Sequence, residues 1–350
     1  MLDAEPESVA LVRLRTGLGD LLCSVPAVRA LRARLPRAHI ALITFAEMAP
    51  VVERQRSYVD ELIEFPGWSG IPERPVRHDA VPGFLAVCAE RRFDLALQVY
   101  GARPEANAVT ESLGARRTGG FFTPGGFEPP GLDAFLPYPD HRHEIDRHLA
   151  LMELLGAPAA GRQLEFPLDA GDRAEAAALI SARDLGEDYV LIHPGATSAS
   201  RRWPVESFAA VADGLAADGL RVGITGVPGE EGTTAAVRSA MRAPAEDLCG
   251  ATSLGGFAAL LEGARGLVCS DTGAAHLGAA VGSPAVVVFL SGDHVRWSHR
   301  GHRAARVQVE CNPCPHLVCP IDFRCATRLE PAAVLGHARA LLGATDARPV

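Results

Sequence analysis

Through the first half of the chain, short continuous apolar runs alternate with longer stretches whose apolar positions recur at helical spacing. The runs SVALVRLR (8–15), HIALITF (39–45), DELIEF (60–65) and FDLALQVY (93–100) read as strands, and SVPAVRALRARL (24–35) as a helix. Strands that are apolar throughout and separated by helices predict a parallel sheet covered on both faces. Residues 119–140, GGFFTPGGFEPPGLDAFLPYPD, are dense in glycine and proline and predict a long surface loop. HEIDRHLALMELLGA (143–157) follows as an amphipathic helix, and PAAGRQLEFPLDAGD (158–172) as the crossing between domains.

The rhythm then restarts. YVLIHPG (189–195), LRVGITG (220–226), GLVCSDTG (266–273) and AVVVFLSG (285–292) are strands ending in turn residues. Helices are expected near 205–218, 232–242, 254–264 and 274–281. The pattern predicts two doubly wound α/β domains, 1–165 and 166–350, facing across a cleft, with the tail GATDARPV (343–350) disordered. Ligands of such sheets sit beyond the strand carboxyl ends. Here those ends carry Gly17 to Asp20, His193 to Gly195, Gly226, and Asp271 to Gly273.

Composition excludes several classes. With 350 residues, 48% of them hydrophobic and 22% charged, the chain is globular. No apolar run reaches the length of a membrane span and the start MLDAEPES is acidic, so a cytoplasmic location is expected. A net charge of -8 without a basic cluster argues against a nucleic-acid partner. All 34 basic residues are arginines, which excludes a lysine Schiff base, a pyridoxal phosphate anchor and a P-loop lysine. An anionic ligand must be held by arginine, backbone N–H groups or helix N-termini.

The stretch RLRTGLGDLL (13–22) stands between the first strand and the first helix, where a dinucleotide-binding glycine loop would be. Leu22 replaces that loop's third glycine, and Asp20 would repel a pyrophosphate. Glu47, just past the second strand, is where a ribose-binding acid belongs. Gly17 and Gly19 are expected to let the loop turn tightly. Asp20 is then either a helix cap or a carboxylate presented for chemistry at a terminus whose dipole favours the anion.

The blocks LRTGLGDLLCSVPAVRALRARLPRAHIALI, LIHPGATSASRRWPVESFAAVADGL, GITGVPGEE and LCGATSLGGFAALLEGARGLVCSDTGAAHLGAAVGSPAVVVF, with the late Cys-Pro stretch, cover both halves in order. Together they resemble glycosyltransferase family 9, the ADP-heptose heptosyltransferases of the GT-B fold. Across residues 50–160, on the side that faces the acceptor in such enzymes, the likeness is faint. The resemblance implies an inverting transfer in which Asp20 takes the proton of the acceptor hydroxyl. It places the nucleotide-sugar donor in the second half. Arg201 stands where the family usually has a lysine, and with Thr197 and Ser198 it would hold the diphosphate. Glu230 suits the ribose diol, Asp271 the sugar or its loop, and Thr272 and Gly273 a helix terminus for the leaving ADP. His276 lies one turn on, and Trp297 is expected to close the site.

No metal and no other cofactor is required by this reading. Cys311, Cys314, Cys319 and Cys325 have metal-ligand spacing, and a structural metal and packed reduced thiols both stay open. The implied function moves heptose from ADP-heptose to a hydroxyl of the lipopolysaccharide inner core, or of another saccharide or small molecule, with at most peripheral membrane contact. The alternatives are a transferase for another nucleotide sugar, a nucleotide-sugar-binding protein without turnover, and a dinucleotide-dependent enzyme.

Overall fold

In the computed structural model, which describes residues 5–126 and 134–346, SVALV (Ser8–Val12) forms strand β1 at the middle of a parallel sheet. The chain divides into two units, Met1–Leu164 and Glu165–Val350. The first unit adds β2 (His39–Thr44), β3 (Glu61–Glu64), β4 (Leu95–Gln98), β5 (Arg117–Phe122) and β6 (Phe135–Pro137), in the order β3-β2-β1-β4-β5-β6. Leu11 lies opposite Leu42 on one side and Leu97 on the other, and all three are buried. Such strands need helices on both faces, which is why they read as unbroken apolar runs. The helices between them include Leu18–Leu22, Val25–Arg34, Val81–Arg91 and Pro104–Ser112, with Glu144–Leu154 after β6. The core gathers Val12, Ile43, Phe65, Phe84 and Phe93. Phe65 stands edge-to-face with Phe45 at 5.2 Å and with Phe84 at 5.7 Å, each pair adding roughly 0.5–1.5 kcal/mol beyond area burial.

The second unit repeats the scheme with β7 (Tyr189–His193), β8 (Arg221–Gly226), β9 (Glu246–Cys249), β10 (Gly266–Ser270), β11 (Ala285–Val288) and β12 (Arg303–Ala305). These are ordered β12-β11-β10-β7-β8-β9. Ile192, Phe208, Ile224, Val268, Val286 and Val334 form its core, with Trp203 donating its indole N–H to the Ala326 carbonyl at 3.3 Å. The helix Ala170–Ala182 opens with a capping box, Asp169 accepting from the Asp172 N–H and Asp172 from the Asp169 N–H, both at 2.9 Å. Such a cap contributes about 1 kcal/mol. The fold class is α/β, two doubly wound Rossmann-like units.

Two expectations change. Residues 119–140 are not one surface loop: they hold the end of β5 and all of β6, and residues 127–133 lie outside the described residues. Two of the glycines that suggested a loop are packed in β5. A Cβ on Gly119 would press the Ala134 carbonyl at 2.6 Å, and one on Gly120 the Gln98 carbonyl at 2.5 Å. Glycine in a strand here marks close backbone approach. The helix Pro331–Asp346 also runs into the tail expected to be disordered, whose last residues, 347–350, lie outside the described residues.

In each unit the chain leaves the central strand to one side, then returns to pair on the other. The crevices this opens, between the carboxyl ends of β1 and β4 and of β7 and β10, are where ligands of doubly wound sheets bind.

Candidate active site

In the first unit, the β1 end continues through Arg13 and Arg15 into Gly17 and the helix Leu18–Leu22. Gly17 is extended, at φ −77° and ψ 128°, and neither it nor Gly19 has a left-handed backbone. Neither glycine is required there by a left-handed backbone. Gly17 matters because a Cβ there would fall on Oδ2 of Asp20. The missing side chain is the space the carboxylate occupies. Asp20 is about one-quarter exposed, with Oδ1 3.5 Å from Arg13 Nη2 and 3.9 Å from Arg15 Nε. The bonds it makes run to arginines and not to the free N–H groups of its helix, so it does not act as a cap.

Arg13 is fully buried. Its Nη1 donates to the Val99 carbonyl at 2.7 Å and the Tyr100 carbonyl at 3.3 Å, and its Nη2 to the Asp20 carbonyl at 2.7 Å. Glu144, also buried, lies 3.5 Å from Arg13, 3.6 Å from Arg147 and 3.4 Å from His148 Nε2. Burial, followed by the charge of Arg13, lowers the His148 pKa and favours a neutral ring. Arg15 stacks on the Tyr100 ring at 4.2 Å and pairs with Glu73 at 3.0 Å, while the Tyr100 hydroxyl donates to the same Glu73 oxygen at 2.8 Å. Burial is the largest cause that pushes the Tyr100 phenol up to about 12. Sequence reasoning missed Arg13, Glu144, Arg147 and His148. Their signal was an arginine ending an apolar strand and three charged or polar residues sharing a core-facing helix stripe with Leu151. Glu47, the acid a dinucleotide would need, is ion-paired with Arg74 at 2.7 Å.

In the second unit, β7 ends at buried His193, whose Nδ1 stands 3.0 Å from Thr225 Oγ1. The Thr225 hydroxyl donates to the Ile192 carbonyl at 3.3 Å, so its oxygen is left to accept from the ring. Burial lowers the His193 pKa to about 4 and keeps the ring neutral. Its Nε2 lies 3.8 Å from Glu230, as a neighbour and not as an ion pair. Glu230 precedes the helix Glu231–Ala240 and accepts the Val227 N–H at 3.0 Å. A Cβ on Gly195 would fall on its carboxylate.

Across the crevice from that loop, Ser270 at the end of β10 donates to the Pro194 carbonyl at 2.9 Å. Asp271, 3% exposed, is 3.5 Å from Arg201, which is itself 40% exposed at its side chain. Burial raises the Asp271 pKa to about 6, with Arg201 opposing and Asp293 adding to the shift. Thr272 caps the helix Gly273–Val281 in extended conformation with its hydroxyl unused for the cap. Of the other expected donor residues, Thr197 is exposed, and Ser198 donates to the Leu317 carbonyl at 2.9 Å. Ser200, which the sequence reading passed over, bonds Ser291 at 2.9 Å and the His316 carbonyl at 2.6 Å, tying this loop to the Cys-Pro stretch. Arg202 turns back to the Ala196 carbonyl at 2.7 Å, leaving Arg201 as the arginine beside Asp271. His276 is buried, 2.6 Å from His299 and edge-on to the half-buried Trp297.

Among the described residues, no three of Cys311, Cys314, Cys319 and Cys325 bring their sulfurs close enough to share one ion. Cys325 is buried and Cys311 exposed, and all four are free thiols. No helix among the described residues is long and apolar enough to cross a membrane.

Known proteins share this fold, which is of the GT-B kind. "Lipopolysaccharide heptosyltransferase 3" of Escherichia coli is 24% identical over 156 residues, a match spanning 44% of this chain and 46% of that protein. The glycosyl transferase family 9 structure from Veillonella parvula DSM 2008 superposes with a TM-score of 0.79 at 20% identity, covering 97% of each chain. The Escherichia coli ADP-heptose lps heptosyltransferase II does so at 0.75 and 20% identity, covering 97% of this chain and all of the other. The model of glycosyltransferase family 9 (heptosyltransferase) matches residues 134–323, more than half of the chain. The chain belongs to that family, and its enzyme class is glycosyltransferase.

Proposed function

We propose that the protein transfers a heptose from ADP-heptose, with inversion, to a hydroxyl of a saccharide acceptor such as the lipopolysaccharide inner core. The first unit would take the acceptor and supply the base; the second would hold the donor. The observation that carries the reading is the Asp20 carboxylate, set over Gly17 and bonded to no N–H of its own helix. A base must be within hydrogen-bond reach of the attacking hydroxyl with lone pairs to spare, and Asp20 has them. Direct attack on the anomeric carbon would then release ADP, with the hydroxyl proton passing to Asp20.

In the second unit, Arg201 and the N-terminus opened by Thr272 and Gly273 would stabilise the diphosphate charge as it develops. Thr197 would add a hydroxyl donor. Glu230 would accept from the ribose diol, since a carboxylate offers two acceptor oxygens. Asp271 would fix Arg201, and His276 would lie behind the helix start. An ADP-linked heptose as donor is supported by the likeness in fold to the Escherichia coli ADP-heptose lps heptosyltransferase II. No metal enters this scheme, because Arg201 and the helix start already meet the diphosphate charge.

Incubation with ADP-heptose and a panel of candidate acceptors, read by mass spectrometry, tests the reading. A heptose mass added to one acceptor, with matching ADP release, is the expected result. ADP-heptose left intact while another nucleotide sugar is consumed would sink the donor assignment.

A further inference from the structure

We infer that Arg13 is a positioning residue of the transfer: it sets where the Asp20 carboxylate stands. The inference rests on the reading of Asp20 as the base. One guanidinium here spans both lips of the first unit's crevice. Nη1 holds the carbonyls of Val99 and Tyr100, which follow β4, and Nη2 holds the Asp20 carbonyl at 2.7 Å, in the helix that follows β1. Only a planar fork can donate in both directions at once; a lysine ammonium at this depth is a single point. Nη2 also lies 3.5 Å from Asp20 Oδ1, near enough to orient the carboxylate but too far to saturate it. The main chain of Asp20 is fixed, while its lone pairs stay available to an acceptor hydroxyl.

The cost of this arrangement points the same way. Arg13 is 0% exposed and its Nε has no hydrogen-bond partner. Its charge is answered by Glu144, which is 2% exposed and shared with Arg147 and His148. A buried ion pair of this kind is commonly no more stabilising than apolar groups of similar volume. The three carbonyls that Arg13 satisfies do not by themselves call for a buried charge, which a strand end in an apolar sheet otherwise avoids. Placement of the base supplies the reason.

The test compares Arg13→Lys, the double variant Arg13→Met/Glu144→Gln, and Asp20→Asn. Turnover is read as ADP release with the acceptor found by mass spectrometry, alongside donor KM and the rise in Tm with ADP. Both Arg13 variants should lose about 100-fold in kcat, the usual cost of an ångström-scale misplacement. Donor KM and the ADP-dependent Tm rise should stay unchanged. A folded double variant with near-parent kcat would overturn the inference. So would an Arg13→Lys variant that does not fold, since the Arg13 fork would then be holding the unit together. Near-normal turnover of Asp20→Asn would instead remove the base reading on which the inference stands.

Discussion

Glu230 occupies the place a side chain on residue 195 would take: a Cβ added to Gly195 falls on its carboxylate. The same relation recurs between Gly17 and Asp20, and between Gly292 and Asp271. Each pair stands where a strand end meets a crevice, so the glycines keep room for carboxylates. Gly195→Ala requires no left-handed backbone, and what it displaces is the flexible end of Glu230. Although Gly195 is buried, only the end of a side chain has to move, so stability should fall by no more than about 1 kcal/mol. ADP affinity should fall by about 1.5–3 kcal/mol, as it should in Glu230→Ala, which loses hydrogen bonds to a charged group. The double variant should bind no more weakly than either single one. Calorimetric titration with ADP decides: normal binding by Gly195→Ala beside weak binding by Glu230→Ala would show that the carboxylate does not depend on the empty space.

Asp20 and Arg201 should separate turnover from donor binding. Asp20→Asn removes the proton acceptor but keeps the shape, so turnover should fall by about two to four orders of magnitude. ADP binding should hold or tighten slightly. Arg201→Ala should weaken ADP by about 1.5–3 kcal/mol through loss of a charge-assisted bond. Single-turnover rates and ADP titrations on the two variants are the measurements; the opposite assignment of effects would return the nucleotide to the first unit.

The buried strands were legible because each is apolar on both faces, and β1, β2, β4, β7, β10 and β11 all fall inside the runs read from sequence. The strands β9 and β12 escaped because Glu246–Cys249 and Arg303–Ala305 lie at a sheet edge and are short and partly polar. Asp20 was legible from its loop, but its support was not. Arg13 acquires meaning only through Glu144, far away in sequence, and an arginine shows no sign of burial until its acid is found. Ser198 was read as a phosphate donor from its type alone. That its hydroxyl goes to Leu317 depends on a loop more than a helix and several strands later.

Chelation should leave sugar transfer intact. A magnesium site on a diphosphate needs exposed carboxylates in octahedral array. Asp271 is nearly fully buried and faces Arg201, and Asp293 is engaged in accepting the N–H groups of Val295 and Arg296. Turnover in excess EDTA should match the untreated enzyme. A metal carried by the late cysteines would show instead as a lower Tm on its removal. Activity lost to EDTA and restored by magnesium, with Tm unchanged, would mean that the diphosphate is held by a metal and not by Arg201.

Asp271 should make the second unit less stable as pH rises through the weakly acid range. Burial raises its folded-state pKa to about 6 from the ordinary 3.8, against the opposing charge of Arg201. The folded chain therefore binds this proton more tightly than the unfolded chain. Below pH 3.8 both states carry it and no penalty exists; between 3.8 and about 6 the unfolded chain loses it first and stability falls; above 6 the penalty is constant. The difference of roughly two pKa units corresponds to about 3 kcal/mol. Asp271→Asn removes the titration while keeping the shape, so its stability relative to the parent should improve between pH 4 and pH 7 by up to about 3 kcal/mol. His193, lowered to about 4, loses stability in the opposite direction as pH falls from 6.5, but it is present in both proteins and cancels in the difference. Urea titrations of parent and variant across this range give the measurement. A difference that stays flat with pH would mean that Arg201 fully compensates the burial of Asp271.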